Sequence, residues 1–179
     1  MKKAVLVLSM MVFMAMAVNA QPFQKGTSVI QAGIGLGSNL GGLGKGRPAF
    51  SASYEHGSWD VGGPGVISLG GFIGNTGYKY STGSYSQSWN YTVVGARSAY
   101  HYNGFENVPD LDVYGGAMLS YNVVSYKASD GYTGPNSYGS GLGFSFYLGG
   151  RWFFSENIGA YAELGYGVST LNLGLAYKF

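Results

Sequence analysis

The chain has two histidines, no cysteine and ten acidic or basic side chains of each kind or fewer, so its chemistry must come from few residues. His56 and Ser58 form a His-x-Ser pair with Glu55 beside it. A base next to a hydroxyl and an acid is the raw material of nucleophilic hydrolysis. The second histidine, His101, has Ser98 nearby, but three residues apart on a strand they point to opposite faces. Two histidines on different faces make no metal site, and the absence of cysteine excludes thiolate zinc, iron–sulfur clusters and thiol nucleophiles. The glycines of Gly33-x-Gly35-x-Gly37 are not followed by a helix, so a dinucleotide loop does not fit. Asp130-Gly131 is a turn without the further acidic ligands of a calcium loop. No cofactor is implied. A different set remains: Glu55, Arg97, His101, Asp112, Arg151, Glu163 and Lys178 all sit inside segments of alternating polarity.

Those segments are the elements that must position the charges. After residue 20 no amphipathic helix is evident, and stretches of period two are separated by Gly, Asn, Ser, Asp and Pro clusters. Eight strands are predicted over 27–38, 47–57, 65–75, 90–102, 111–126, 138–154, 159–167 and 169–179. In the sixth, Leu142, Phe144, Phe146, Leu148, Trp152 and Phe154 share one face, against Gly143, Ser145, Tyr147, Gly149 and Arg151. The eighth sets Leu171, Leu173, Leu175, Tyr177 and Phe179 against Asn172, Gly174, Ala176 and Lys178. A soluble sandwich would dress its polar face with Lys, Glu and Thr. Here that face is mostly Gly, Ala and Ser with isolated bulky polar residues, which suits a narrow closed interior. Tyr100, Tyr102, Trp152, Phe154, Tyr177 and Phe179 fall near strand ends sharing one rim, as an interfacial girdle does. The expected fold is all-β: an eight-stranded antiparallel up-and-down transmembrane β-barrel.

In that fold Glu55, Arg97, His101, Asp112, Arg151 and Glu163 point inward as lumen ion pairs. A three-residue turn of Glu156-Asn157-Ile158 would set Arg151 opposite Glu163, and His101 can lie opposite Asp112, since directly paired residues share a face. Longer connections are expected at 38–47, 75–89 and 127–137, shorter ones at 58–64, 103–110 and 155–158. The stretches 77–90 and 128–137 are rich in Tyr, Ser and Gly, a composition suited to recognition of a surface ligand.

The N-terminus addresses the chain. Met1-Lys2-Lys3 precedes an apolar run from Ala4 to Val18, and Val18-Asn19-Ala20 suits cleavage after Ala20. The expected organisation is a cleaved signal peptide, 1–20, and one barrel domain, 21–179. Ten basic and eight acidic residues give +2; without Lys2 and Lys3 the balance is eight against eight. No basic excess remains for nucleic acid.

With these residues in view, the chain resembles the small eight-stranded outer-membrane barrel family (OmpA/OmpX-like), in particular stand-alone barrels without a periplasmic domain. The resemblance rests on the signal peptide, on Ala32-Gly-Ile-Gly-Leu-Gly37, on Asp112-Val-Tyr-Gly-Gly116 and on Leu173-Gly-Leu-Ala-Tyr-Lys-Phe179. It implies location in a Gram-negative outer membrane, contact with its lipids, and a monomer without enzymatic activity. It also implies that the terminal aromatics Tyr177 and Phe179 are read by the barrel-assembly machinery. A structural or surface-interaction role is the first expectation, a narrow passive channel the second. A lipid-modifying enzyme is the third; outer-membrane lipid A deacylases carry a similarly spaced His and Ser, but His56 and Ser58 would lie at the other leaflet.

Overall fold

A computed structural model describes residues 23–41, 44–83, 85–105, 107–129 and 139–179. The signal peptide over 1–20 lies outside the described residues, as does nearly all of the 128–137 stretch. Eight strands follow one another: β1 (Ser28–Leu36), β2 (Lys45–Asp60), β3 (Gly65–Thr82), β4 (Tyr85–Tyr102), β5 (Leu111–Ala128), β6 (Gly141–Phe153), β7 (Ile158–Gly165) and β8 (Leu171–Lys178). Each pairs antiparallel with its neighbours in the chain, and β1 pairs with β8, so the sheet closes on itself. Closure leaves no unpaired edge, the condition a sheet must meet in hydrocarbon.

The alternation of side chains divides the solvent from the core in the reverse of a soluble protein. Leu142, Phe144, Phe146, Leu148 and Trp152 of β6 are all exposed on the outer wall, as are Leu173, Leu175 and Tyr177 of β8. From Leu142 to Trp152 a strand runs about 34 Å, which at a tilt near 45° covers roughly the 25 Å apolar band of a bilayer-spanning barrel. Tyr100, Tyr102, Trp152, Phe154, Tyr177 and Phe179 lie exposed around the rim that carries the chain termini, joined by Trp59 and Phe105. The interior is packed with polar and aromatic groups. Small residues opposite large ones make this possible: a Cβ at Gly149 would run into the ring of Tyr114, and one at Gly116 into the hydroxyl end of Tyr147.

Several boundaries differ from expectation. The 77–90 stretch is not a loop. β3 runs to Thr82 and β4 starts at Tyr85, paired residue for residue from Gly77–Asn90 to Thr82–Tyr85. β2 likewise extends to Asp60, shortening the next connection to 61–64. The four strands β2–β5, of 16, 18, 18 and 18 residues, therefore project beyond the rest of the barrel at the rim opposite the termini. The last connection spans 166–170, with Gly167 at a positive φ of 121° that turns Val168 into the interior.

The turn between β6 and β7 sits one residue earlier than expected. Phe153 pairs with Gly159, and Arg151 with Tyr161, so Glu163 faces Gly149 instead of Arg151. The reason lies in the hydrogen bonds of Asn157. Its side chain donates to the Lys178 carbonyl at 2.7 Å, and its own carbonyl accepts from Lys178 N at 2.7 Å. Asn157 is thereby tied to β8, and Ile158 N turns back to Ser155 Oγ at 3.0 Å.

Candidate functional site

The most concentrated chemistry lies inside the barrel. β2 supplies Glu55, β4 supplies Arg97 and His101, β5 supplies Asp112 and Tyr114, β6 supplies Arg151 and β7 supplies Glu163. All are buried, Arg151, His101 and Glu55 at 0% exposure. Buried ions persist only when paired and hydrogen-bonded, and here each charge has more than one partner. Glu55 is the hub. Its Oε1 lies 2.8 Å from Arg97 Nε, and its Oε2 accepts from Arg151 Nη2. Arg151 Nη1 also donates to Asp112 Oδ2 at 2.9 Å, and Arg97 Nη2 to Glu163 Oε2 at 2.7 Å. Each arginine therefore joins two carboxylates from different strands.

Arg151 and Glu163 do not pair with each other, which corrects the expected bridge. The shifted turn sends Glu163 to Arg97, three strands away in sequence but across the interior in space. His101 stands opposite Tyr114 in the ladder, not opposite Asp112. Its Nδ1 nevertheless reaches Asp112 Oδ1 diagonally at 2.8 Å, and its Nε2 lies 3.0 Å from Ser68 Oγ and 3.8 Å from Glu55. Lys178 also points inward, with its Nζ 4.4 Å over the ring of Phe153.

Neutral groups complete the shell. Gln31 Oε1 accepts from Arg151 at 3.0 Å and from Ser53 at 3.1 Å, while its Nε2 donates to the Tyr114 hydroxyl at 3.2 Å. That hydroxyl donates on to Glu163 at 3.1 Å. The Arg151 guanidinium lies 4.3 Å over the Tyr114 ring and the Arg97 guanidinium 3.9 Å over Tyr147, cation–π contacts that gain strength away from water. Sequence reading missed Ser68, Tyr114 and Phe23. Ser68 and Tyr114 carry a signal, since both fall on the inward period of their strands. Phe23 precedes β1 and has no periodicity to reveal it. It is 1% exposed, stacks on His101 at 3.8 Å, and its carbonyl accepts from Asn103.

Two apolar clusters flank the charges. At the terminal rim Phe23 packs with Val29, Val66, Phe153 and Ala176. Toward the opposite rim Ala49, Val93, Met118 and Val168 pack together, with Leu40 and Phe72 against them.

The His-x-Ser pair takes another form than its spacing suggests. His56 and Ser58 both fall within β2, and His56 Nδ1 lies 2.9 Å from Ser28 Oγ of β1. Ser58 Oγ instead donates to the His56 carbonyl at 3.1 Å. Glu55, next in the chain, points to the opposite face and is held by the arginines, so it does not orient His56. Among the described residues no group of three or more His, Asp or Glu side chains is placed to hold a metal ion.

A closed antiparallel ring of eight strands, polar within and apolar without, is the transmembrane β-barrel architecture. Solved structures bear this out. Over 87% of this chain and all of the other, it superposes with a TM-score of 0.56 and 14% identity on Ail, the attachment invasion locus protein of Yersinia pestis, in complex with the heparin analogue sucrose octasulfate. A chain from a de novo design of transmembrane β-barrels matches with a TM-score of 0.52 and 19% identity, over 87% of this chain and 98% of that one. Likeness at such identities is one of fold. No family model and no curated protein matches the sequence.

Proposed function

We propose that this protein is a barrel of the outer membrane with a structural or surface-interaction role, and that its interior is filled and closed instead of conducting. The observation that carries the reading is the charged hub of Glu55, Arg97, Asp112, Arg151 and Glu163, joined across the interior and capped by an apolar cluster on each side. A conducting path needs continuous polar space; here rings, guanidiniums and Phe23 occupy it. No catalytic role is assigned to Ser28 and His56, because among the described residues no carboxylate orients the imidazole, and Ser28 Oγ is shared with the Tyr54 hydroxyl at 3.2 Å. The rim with long strands faces the exterior and the rim with the termini faces the periplasm, following the usual layout of such barrels. On this reading Phe179 and Tyr177, which are exposed at the end of β8, are the aromatics that the barrel-assembly machinery reads.

The chain after signal removal is expected to fractionate with the outer membrane. It should also run faster in gels before boiling than after, because a closed barrel resists detergent unfolding. Recovery as a soluble periplasmic protein with one mobility would overturn the reading.

A further inference from the structure

Among the described residues, exposed charge is segregated along the barrel axis. Asp60, Asp110 and Glu156, together with Lys25, lie at the terminal rim. Lys45, Arg47, Lys79 and Lys127 lie at the other end, where β2–β5 extend beyond the apolar band. The ladder places three of these cations in one row: Lys45 pairs with Lys79, Lys79 with Ser88, and Ser88 with Lys127. The next row toward the bilayer reads Arg47, Gly77, Asn90 and Ser125. Paired residues share a face, and this face is the outer wall, continuous with Ile73, Val94, Tyr121 and Val123. The two rows line a shallow concavity of about 410 Å³, and among the described residues no carboxylate lines it.

We propose that this lateral basic patch binds the phosphate groups of lipids in the outer leaflet. Two observations carry it beyond a solvated charge run. Lys45 and Lys79 stand directly opposite each other, and like charges in that relation destabilise a sheet unless an anion lies between them. The patch also sits at headgroup height. Lys127 is four residues beyond Val123, about 14 Å of strand and so roughly 10 Å along the barrel axis at the usual tilt. Lysine stems can lie back along the apolar wall and present the ammonium to a phosphate layer at that level. A soluble polyanion would meet the top of the barrel; this patch faces sideways, toward neighbouring lipids. The inference rests on the membrane reading above.

The test is urea unfolding of the refolded protein, followed by its unboiled gel mobility. It is run in vesicles of phosphatidylcholine alone, and in vesicles of phosphatidylcholine with phosphatidic acid. The wild type should shift to a higher urea midpoint with phosphatidic acid, and added salt should reduce the shift. Lys79→Thr/Lys127→Thr should match or exceed the wild type in phosphatidylcholine alone, since the like-charge opposition is gone. It should lose most of the shift caused by phosphatidic acid. An equal shift in wild type and variant, or none in either, would overturn the proposal. So would a shift produced in phosphatidylcholine by inorganic phosphate or heparin but not by phosphatidic acid, which would assign the patch to a soluble anion. Failure of the wild type to insert into either vesicle would contradict the membrane reading itself, and the lipid site with it.

Discussion

Glu55→Ala is expected to destabilise the folded barrel by about 3–5 kcal/mol, measured by urea unfolding in phosphatidylcholine vesicles. The effect comes less from the lost attraction than from what remains. Arg97 and Arg151 both lean on Glu55, and both are almost wholly buried. Removing the carboxylate leaves two guanidiniums sharing Asp112 and Glu163, with fewer acceptors than donors. Pairing the change with Arg151→Met should cost less than the sum of the single changes, because the second substitution removes one of the stranded charges. A loss below about 1 kcal/mol for Glu55→Ala would be the behaviour of a solvent-exposed pair. It would mean that water reaches the hub.

Gly70→Val should have a comparable or larger effect, from sterics instead of charge. Gly70 lies between Glu55 on β2 and Arg97 on β4 in the ladder, and its missing side chain lets the hub close. A Cβ there would overlap the Tyr54 carbonyl and crowd the Glu55 Cα, both backbone, so no rotamer change relieves it. The neighbouring Gly71 points outward, and a Cβ there would meet only the Gly95 carbonyl at 3.9 Å. Gly71→Val should therefore fold like the wild type, while Gly70→Val should leave most of the protein without the faster unboiled mobility. Equal tolerance of both would show that β2 and β3 are not held as closely as the register requires.

The contrast between those two glycines marks what could be read in advance. Strict alternation in β6 and β8 was enough to separate an apolar wall from a small-residue interior, and so to reach eight strands and closure. Strand ends were not legible. Tyr, Ser and Thr between 77 and 90 fit an exposed strand pair as well as a loop, and only the tight turn around Gly83 shows which. The inward charges were legible as a set because each falls on its strand's inward period. Their partners were not, because a pairing depends on register, and one residue of difference in a turn moves a partner by two. Asn157 looked like the centre of the β6–β7 turn; its bonds to Lys178 place it at the junction with β8 instead. Glu163 was thereby sent to Arg97. The basic row of Lys45, Lys79 and Lys127 was invisible for the same reason, since its members are far apart in sequence and meet only through three ladders.

The claim on which the proposed role depends most is that the barrel interior is closed by its own side chains. Planar-bilayer recording of the purified, reconstituted protein addresses it directly. A barrel filled by its own side chains should give no discrete conductance above the bare-bilayer baseline for the wild type, across salt concentrations and both polarities. Reproducible single-channel steps from the wild-type protein would contradict it, and would move the second reading, a narrow passive channel, into its place.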